Sequence, residues 1–152
     1  MMRIMLIDDN PAIRGDAELL RSAAPGAEFW LGGDLYDADY YVYDEQIPFD
    51  LMIIDFSLGE YEFASREDQQ AYKRLGPDLV GWIWIKRFLR EHPDYDPRRI
   101  IGLSAYVDLL DYITIQEAGI RVIDKKAGDS LKSLLLTVED IHRSGKGEGG
   151  CT

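Results

Sequence analysis

The stretch Leu51–Glu60, "LMIIDFSLGE", places four apolar residues directly before a carboxylate, Asp55. A short and continuous apolar run is typical of a strand that is buried on both faces of a parallel sheet. The polar residues that follow indicate that this strand ends at Asp55. In open parallel sheets, ligands bind beyond the carboxyl ends of the strands. Asp55 is therefore a candidate functional residue, and the other strand ends are the places to look for its partners.

Further short apolar segments predict a sheet of five strands. Besides Leu51–Ile54, these segments are Arg3–Ile7, Ala27–Leu31, Ile100–Leu103 and Val122–Ile123. The segment 27–31 is the weakest of them, and we place it nearer an edge. Strands that alternate with helical patterns favour right-handed βαβ units and a sheet covered on both faces, which is an α/β fold.

Two of the helical patterns are clear. The first helix is predicted to have Asn10 as its N-cap and Pro11 at its first position, with an apolar stripe of Ile13, Ala17, Leu20 and Ala24. The last helix follows a cap at Asp129 or Ser130 and carries a stripe of Leu131, Leu134, Leu135, Val138 and Ile141. The glycine-rich residues 144–152 are predicted to be a flexible tail, which leaves 1–143 as one domain.

Composition narrows the functional classes. The 152 residues include 28 acidic and 17 basic side chains, so the net charge is −11, and 46% of the residues are apolar. Direct nucleic acid binding is disfavoured because it depends on basic residues. The single cysteine, Cys151, excludes an internal disulfide and a zinc cluster. With no apolar stretch long enough to span a membrane, we expect a soluble cytoplasmic protein without a membrane partner.

Polar side chains follow four of the predicted strands. They are Asp8 and Asp9, Asp55, Ser104 and Lys125. Each also has a structural explanation, as a helix-capping acid, a loop residue, a turn former or a surface charge. Together they would place three carboxylates at one rim, where mutual repulsion calls for a cation such as Mg²⁺. The hydroxyl and the ammonium group would suit the oxygens of a phosphoryl group.

Four segments at these strand ends resemble the conserved blocks of bacterial response-regulator receiver domains (CheY-like). They are "MLIDDNP", "FDLMIIDFSL", "IIGLSA" and "VIDKKA", in this order along the chain. The resemblance covers roughly residues 3–143. It implies a flavodoxin-like sheet with strand order 2-1-3-4-5 and helices on both faces. It also implies a function, the acceptance of a phosphoryl group from a histidine kinase or a histidine phosphotransfer protein in a two-component phosphorelay.

The resemblance also assigns roles to individual residues. Asp55 matches the phosphoacceptor, and Asp9 and Asp55 match the direct Mg²⁺ ligands. Asp8 is similar to the acidic residue that holds metal-bound water, and the backbone carbonyl of Ser57 matches the third protein ligand. Ser104 matches the switch hydroxyl. Lys125, rather than its neighbour Lys126, matches the lysine that pairs with the phosphoryl oxygens.

By the same resemblance the protein is not an enzyme beyond catalysing its own phosphorylation and slow dephosphorylation. It would signal through contacts with a downstream protein target, while formation of a homodimer on activation is left open. Two departures from the family pattern bear on this output. Val122 stands where the switch aromatic is normally found, and the usual proline after the phosphoacceptor is absent. Tyr106, two residues after Ser104, is placed to affect access of water.

The largest departure is an insertion of about residues 59–77 after the phosphoacceptor strand. Gly81, which opens the next helix, lies 26 residues after Asp55, and loops longer than about 12–15 residues are uncommon as plain connectors. A short helix is predicted inside it, capped at Ser65 and stopped at Gly76 and Pro77.

The insertion has two interpretations. It is either a surface elaboration without a role, or a lid or docking element that controls which partner reaches Asp55. Tyr61, Phe63 and Tyr72 would anchor it. The apolar run 82–85 covers more than one helix face and needs a cover, from the insertion or from a second subunit.

Two other functions compete with this interpretation. A phosphatase of the haloacid dehalogenase type needs a second aspartate two residues after its nucleophile, where this chain has Ser57 after Asp55 and Asn10 after Asp8. The stronger rival is a phosphorylation-independent receiver-like interaction module. Val122 and the insertion favour it, whereas the intact acidic pair, together with Asp55, Ser104 and Lys125, argues against it.

Overall fold

The computed structural model describes residues 1–10, 15, 17–105 and 109–150, with only the backbone of 109–110 and 145–150. Its strands are β1 (Arg3–Ile7), β2 (Glu28–Gly32), β3 (Leu51–Asp55), β4 (Ile100–Ser104) and β5 (Arg121–Asp124). They form one parallel sheet in the order β2-β1-β3-β4-β5, which confirms the predicted α/β topology. β2 lies at an edge, as expected, but begins and ends one residue later than predicted.

The helices cover both faces of this sheet. They are α1 (Ala17–Ala23), α2 (Leu35–Asp39), α3 (Arg66–Leu75), α4 (Val80–Glu91), α5 (Leu109–Glu117) and α6 (Ser130–Gly150), and a π-helical turn, Tyr40–Asp44, continues α2. Alternate residues of each central strand face opposite cores. Ile4 and Leu6 pack on the side of α1 and α6, and Met5 and Ile7 pack on the side of α2 and α4. No described helix combines the length and the apolar character needed to cross a bilayer.

The two predicted apolar stripes lie on buried helix faces. Ala17, Leu20 and Ala24 are buried at α1, and Leu134, Val138 and Ile141 are buried on α6. Four residues to which the sequence analysis assigned a place or a role lie outside the described residues, namely Pro11, Ile13, Tyr106 and Cys151. The backbone of α6 continues to Gly150. The predicted boundary between residues 143 and 144 and the flexibility of the tail stay predictions.

The helix predicted within the insertion is confirmed as α3. The Ser65 side chain accepts a hydrogen bond of 3.0 Å from the backbone N–H of Asp68, which caps the first turn. At the other end Gly76 has a φ of 83°, a conformation that glycine adopts without strain, and its N–H donates to the carbonyl of Tyr72 at 2.8 Å. Pro77 follows directly and begins a short 3₁₀ turn.

The insertion packs closely on the body of the protein. Tyr61 and Phe63 are buried, with ring centroids 4.7 Å apart, and the Phe63 ring lies 6.1 Å from that of Tyr72. Asp68 is also buried, and it accepts a hydrogen bond of 2.9 Å from Arg90 of α4. All four residues of the apolar run 82–85 are buried in the same cluster. Tyr61 and Phe63 of the insertion belong to the apolar cluster that buries this run.

Asp39 at the end of α2 joins three elements. Its carboxylate accepts hydrogen bonds from the Tyr61 hydroxyl of the insertion, from Trp84 Nε1 at 2.9 Å and from Arg87 Nη2 at 2.8 Å. Arg87 Nη1 donates to the Tyr61 hydroxyl as well, at 3.0 Å. Since the Arg87 side chain is 11% exposed, Asp39 holds a nearly buried cation and fixes the insertion against α2 and α4.

Candidate functional site

The strand-end residues meet at one rim because all five strands are parallel. Asp8 directly follows β1, Asp55 and Ser104 end β3 and β4, and Lys125 directly follows β5. Asp8, Asp55 and Ser104 are buried, at 0%, 2% and 6% exposure, whereas Asp9 is exposed. Burial of three polar residues in a row of strand ends is unusual for surface loops and marks this rim as a built site.

Three carboxylates converge at this rim. Asp8, Asp9 and Asp55 each place one oxygen atom within 4.8 Å of the others. Repulsion at such separations is relieved by a cation, and oxygen donors of this kind suit a hard divalent ion such as Mg²⁺. The donor set therefore fits the metal that the sequence implied. One oxygen of Asp8 is already used locally, because Oδ1 accepts the backbone N–H of Asn10 at 2.7 Å.

Lys125 bridges the two buried carboxylates. Its Nζ atom lies 2.9 Å from Asp55 Oδ2 and 3.2 Å from Asp8 Oδ2. The lysine side chain is 20% exposed, so the pair is largely shielded from solvent. One positive charge is thus shared between two negative ones, and the cluster keeps a net negative charge.

Burial sets the protonation of the site. It raises the pKa of Asp55 to about 6, although the hydrogen bonds from Lys125 and from the Ser57 backbone act in the opposite direction. Burial alone would lower the pKa of Lys125. The hydrogen bond and charge of Asp55, followed by those of Asp8, outweigh burial and raise it. At neutral pH Lys125 is therefore charged, and Asp55 is mostly ionised.

The chain after β3 fixes the orientation of Asp55. The backbone N–H of Ser57 donates to Asp55 Oδ1 at 3.0 Å, and Phe56 continues the pairing with β4 through its N–H to the Leu103 carbonyl, at 2.9 Å. The Gly81 N–H donates to the Phe56 carbonyl, also at 2.9 Å. A Cβ atom on Gly81 would lie 2.2 Å from the Asp55 carbonyl oxygen. Only glycine allows α4 to begin this close to the site.

All the predicted site residues that the structure describes lie at this rim, while their chemical roles stay predictions. Ser57 contacts Asp55 through its N–H, and the use of its carbonyl as a metal ligand also stays a prediction. Val122 lies on β5 opposite Gly102 and is half-buried in the core on the α4 side. This is the position at which the sequence resemblance would place the switch aromatic.

The packing of Phe56, the residue next to Asp55, was not predicted from the sequence. A Cβ atom on Gly102 would lie 2.2 Å from the Phe56 ring, so this glycine in β4 makes room for the residue next to Asp55. The signal was present, since a glycine inside a strand often marks a close approach of another group. The Asp39 cluster had no such signal, because Asp39 and Arg87 are far apart in the sequence.

No family model matches the chain, and no curated protein matches its sequence. Solved structures do match. A response regulator receiver domain protein from Clostridium thermocellum aligns with a TM-score of 0.64 at 16% identity, over 96% of this chain and 98% of that one. The non-phosphorylated HemR receiver domain from Leptospira biflexa aligns with a TM-score of 0.62 at 17% identity, over 93% of this chain and 94% of that one.

A third structure is a response regulator from Burkholderia pseudomallei that contains a phosphorylated aspartic acid, a calcium ion and citrate. It aligns with a TM-score of 0.60 at 18% identity, over 98% of this chain and 73% of that one. At sequence identities this low, the structural similarity is evidence for the fold alone. Together with the sheet order, it shows that this chain has the CheY-like fold of response-regulator receiver domains.

Proposed function

We propose that this protein is a phosphoacceptor receiver of a two-component phosphorelay. Asp55 would take a phosphoryl group from a histidine kinase or a histidine phosphotransfer protein, with Mg²⁺ bound, and the phosphorylated protein would act by contact with a protein target. The observation that carries the proposal is the convergence of Lys125, Asp8 and Asp9 on Asp55 in a receiver fold. The Burkholderia protein with this fold contains a phosphorylated aspartic acid.

The proposed step is a nucleophilic displacement at phosphorus. An oxygen of Asp55 forms a bond to phosphorus, the bond between phosphorus and the donor imidazole nitrogen breaks, and the electron pair stays on that nitrogen, which takes up a proton. The product is an acyl phosphate. A pKa of about 6 keeps most of Asp55 ionised at neutral pH, and its place at the end of β3 holds the nucleophile in one position.

Lys125 and the Mg²⁺ held by the acidic cluster would together offset the negative charge of the phosphoryl group. Asp8, Asp9, Asp55 and the Ser57 carbonyl would hold Mg²⁺, which when bound offsets the negative charge of the phosphoryl oxygens. Lys125 would leave its contact with Asp55 Oδ2 and donate to a phosphoryl oxygen instead. Ser104, buried beside the site, would offer its hydroxyl to another.

One observation favours the interaction module as a second candidate. The Lys125 ammonium group already neutralises part of the charge of Asp8 and Asp55, so these side chains already have a charged partner at the rim. In this alternative the pair is structural, the chain takes no phosphate, and Val122 reflects the loss of an aromatic switch.

Intact-mass measurement after incubation with acetyl phosphate, with Mg²⁺ or with EDTA, separates the two. The receiver predicts a Mg²⁺-dependent gain of one phosphoryl group, which is absent in Asp55→Asn and retained in the control Asp94→Asn, at an exposed position in the turn after α4. Folded protein that gains no phosphoryl group from acetyl phosphate or from a phosphorylated histidine phosphotransfer protein would favour the interaction module.

A further inference from the structure

Two tyrosines are exposed on one face of α2 and the turn that continues it. Tyr36 and Tyr40 are 52% and 51% exposed, although each has a large ring. The Tyr40 N–H donates to the Tyr36 carbonyl one helical turn earlier, so the two side chains lie on the same face. Adjacent exposed tyrosines are typical of protein interfaces, in which this residue type is enriched.

The insertion extends this face on one side. The Tyr36 ring lies 4.9 Å from the ring of Tyr61, and the Tyr36 hydroxyl accepts the backbone N–H of Glu62 at 3.2 Å. Glu60 and Glu62 flank the buried Tyr61 in the chain, and both are exposed. The exposed tyrosines therefore have carboxylates beside them that the insertion provides.

The π-helical turn extends the same face in the other direction. The Glu45 N–H donates to the Tyr40 carbonyl at 2.8 Å, which places Glu45 one π-helical turn beyond this tyrosine. A hydrogen bond to the Glu45 carboxylate, together with its charge, raises the pKa of the Tyr40 hydroxyl. Glu45 is itself exposed. The α2 surface is defined by five residues, namely Tyr36, Tyr40, Glu45, Glu60 and Glu62.

No basic side chain offsets the charge of this surface from within its own segment. Residues 22–65 contain ten acidic residues and no lysine, arginine or histidine. Arg66, at the start of α3, is the next basic residue in the chain. Arg87 of α4 is only 11% exposed and is engaged by Asp39. The α2 surface therefore carries a negative field that favours a positively charged partner.

The combination of rings and carboxylates favours arginine as the partner group. A guanidinium group stacks on the face of a tyrosine ring and donates paired hydrogen bonds to a carboxylate. Lysine supplies the charge without the planar fork. Nucleic acids and anionic membranes are repelled by the same carboxylates. A second copy of this chain would bring its own net charge of −11.

We propose that the α2 surface binds an arginine-rich segment of a partner protein. The guanidinium groups lie over Tyr36 and Tyr40 and pair with the three carboxylates of the surface. Glu60 and Glu62 belong to the insertion, which in this arrangement is a docking element. None of the five residues belongs to the rim of Asp55, so the inference does not rest on phosphorylation.

Hexa-arginine and hexa-lysine, capped at both ends, are matched probes because they carry the same charge and differ in the planar group. We expect hexa-arginine to give saturable changes in the amide spectrum at residues 36–45 and 60–62. Its dissociation constant should be below about 1 mM in about 150 mM salt. Hexa-lysine should bind about two- to fivefold more weakly. Changes centred on residues 8, 9 and 55–57 would place the peptide at the acidic rim and overturn the proposal.

The contribution of the rings is tested by a change that keeps an apolar side chain. Tyr40→Leu should weaken hexa-arginine about two- to fivefold and reduce its advantage over hexa-lysine. Tyr112→Leu makes the same substitution at a half-buried tyrosine of α5, outside the surface, and should change neither peptide. Circular dichroism and cooperative thermal unfolding check the fold of both variants. Unchanged hexa-arginine binding in Tyr40→Leu overturns the assignment to arginine.

The contribution of the carboxylates is tested at constant net charge. The double variant Glu45→Gln, Glu62→Gln should weaken both peptides about three- to tenfold. The control Asp94→Asn, Glu117→Gln removes two exposed charges elsewhere and should weaken them by less than about twofold. Equal losses in the two double variants, or no saturable binding to the wild type, overturn the surface. Self-association of the wild type that is lost in Tyr40→Leu would identify a second copy as the occupant and overturn the proposed partner.

Discussion

The ammonium group of Lys125 lies 2.9 Å from Asp55 Oδ2, on a carboxylate that is only 2% exposed. The proposed phosphoacceptor is therefore already engaged by the residue that would later hold its phosphoryl group. Removing one partner of such a pair leaves the other as a buried charge without an opposite charge beside it. Stability and phosphoryl acceptance should respond together to changes at this contact.

Lys125→Met is expected to lower the free energy of unfolding by about 2–4 kcal/mol in EDTA, because Asp8 and Asp55 lose their shared cation. Mg²⁺ should restore much of this loss by taking over the charge. Urea denaturation with and without Mg²⁺ measures both effects. Lys126→Met removes the same charge from an exposed neighbour and should shift stability by less than about 0.5 kcal/mol. Equal losses in the two variants would contradict the buried pairing.

The raised pKa of Asp55 predicts an unusual pH dependence. Between the ordinary value of 3.8 and about 6, the folded protein binds more protons at Asp55 than the unfolded chain does. The Asp55 contribution to the free energy of unfolding should therefore fall as the pH rises through this window, by about 3 kcal/mol in metal-free buffer. Asp55→Asn should lack this fall. Denaturation midpoints of both proteins at pH 4, 5, 6 and 7 give the comparison, and parallel curves would argue against a buried acid.

Mg²⁺ should stabilise the protein through the acidic cluster. At ten times the dissociation constant, binding to the folded state alone adds about 1.4 kcal/mol. Thermal unfolding should shift upward with Mg²⁺ in the wild type and in Asp94→Asn. The shift should be reduced in Asp9→Asn, whose exposed carboxylate makes it the mildest change to the cluster. A full shift in Asp9→Asn would remove this residue from the ligand set.

Gly81→Ala is expected to destabilise the protein by about 3 kcal/mol or more, because the new methyl group would overlap the Asp55 carbonyl at 2.2 Å. The backbone of the site cannot move away without disturbing β3. Gly128→Ala is the matched control, since nothing lies within 4 Å of a Cβ atom there. Urea midpoints of the two variants test the contact, and a stable Gly81→Ala would mean that α4 begins farther from Asp55.

Asp39→Ala should loosen the insertion as well as destabilise the fold. It removes the acceptor shared by Tyr61, Trp84 and Arg87, and it leaves the Arg87 guanidinium buried without a full partner, at an expected cost of about 2–4 kcal/mol. Amide hydrogen exchange at residues 61–63 should accelerate. The exposed Asp44→Ala should leave exchange unchanged. Protection that persists in Asp39→Ala would mean that apolar packing alone holds the insertion.

Much of the fold followed from local patterns. The central strands are continuous apolar runs because both of their faces are covered, and this makes Leu51–Ile54 and Ile100–Leu103 easy to recognise. The helix in the insertion was predictable because Ser65, Gly76 and Pro77 act on neighbouring backbone groups. The strand-end residues came together because a parallel sheet places all its carboxyl ends at one rim.

Other features depend on contacts between distant residues. The Asp39 and Arg87 pair joins side chains 48 positions apart, and neither has a local signal. Residues 34–50 show no regular helical stripe in the sequence, because part of the segment, Tyr40–Asp44, forms a π-helical turn.

The buried underside of the insertion also bears on solubility. Tyr61 and Phe63 lie in the same apolar cluster as Trp82 and Trp84. A shortened chain without residues 59–77 would expose these indole rings as a continuous apolar surface. Exposed surfaces of this kind promote self-association. We expect the truncated protein to aggregate or dimerise unless polar residues replace part of that surface. If it does, the insertion limits self-association of the folded protein by covering that surface.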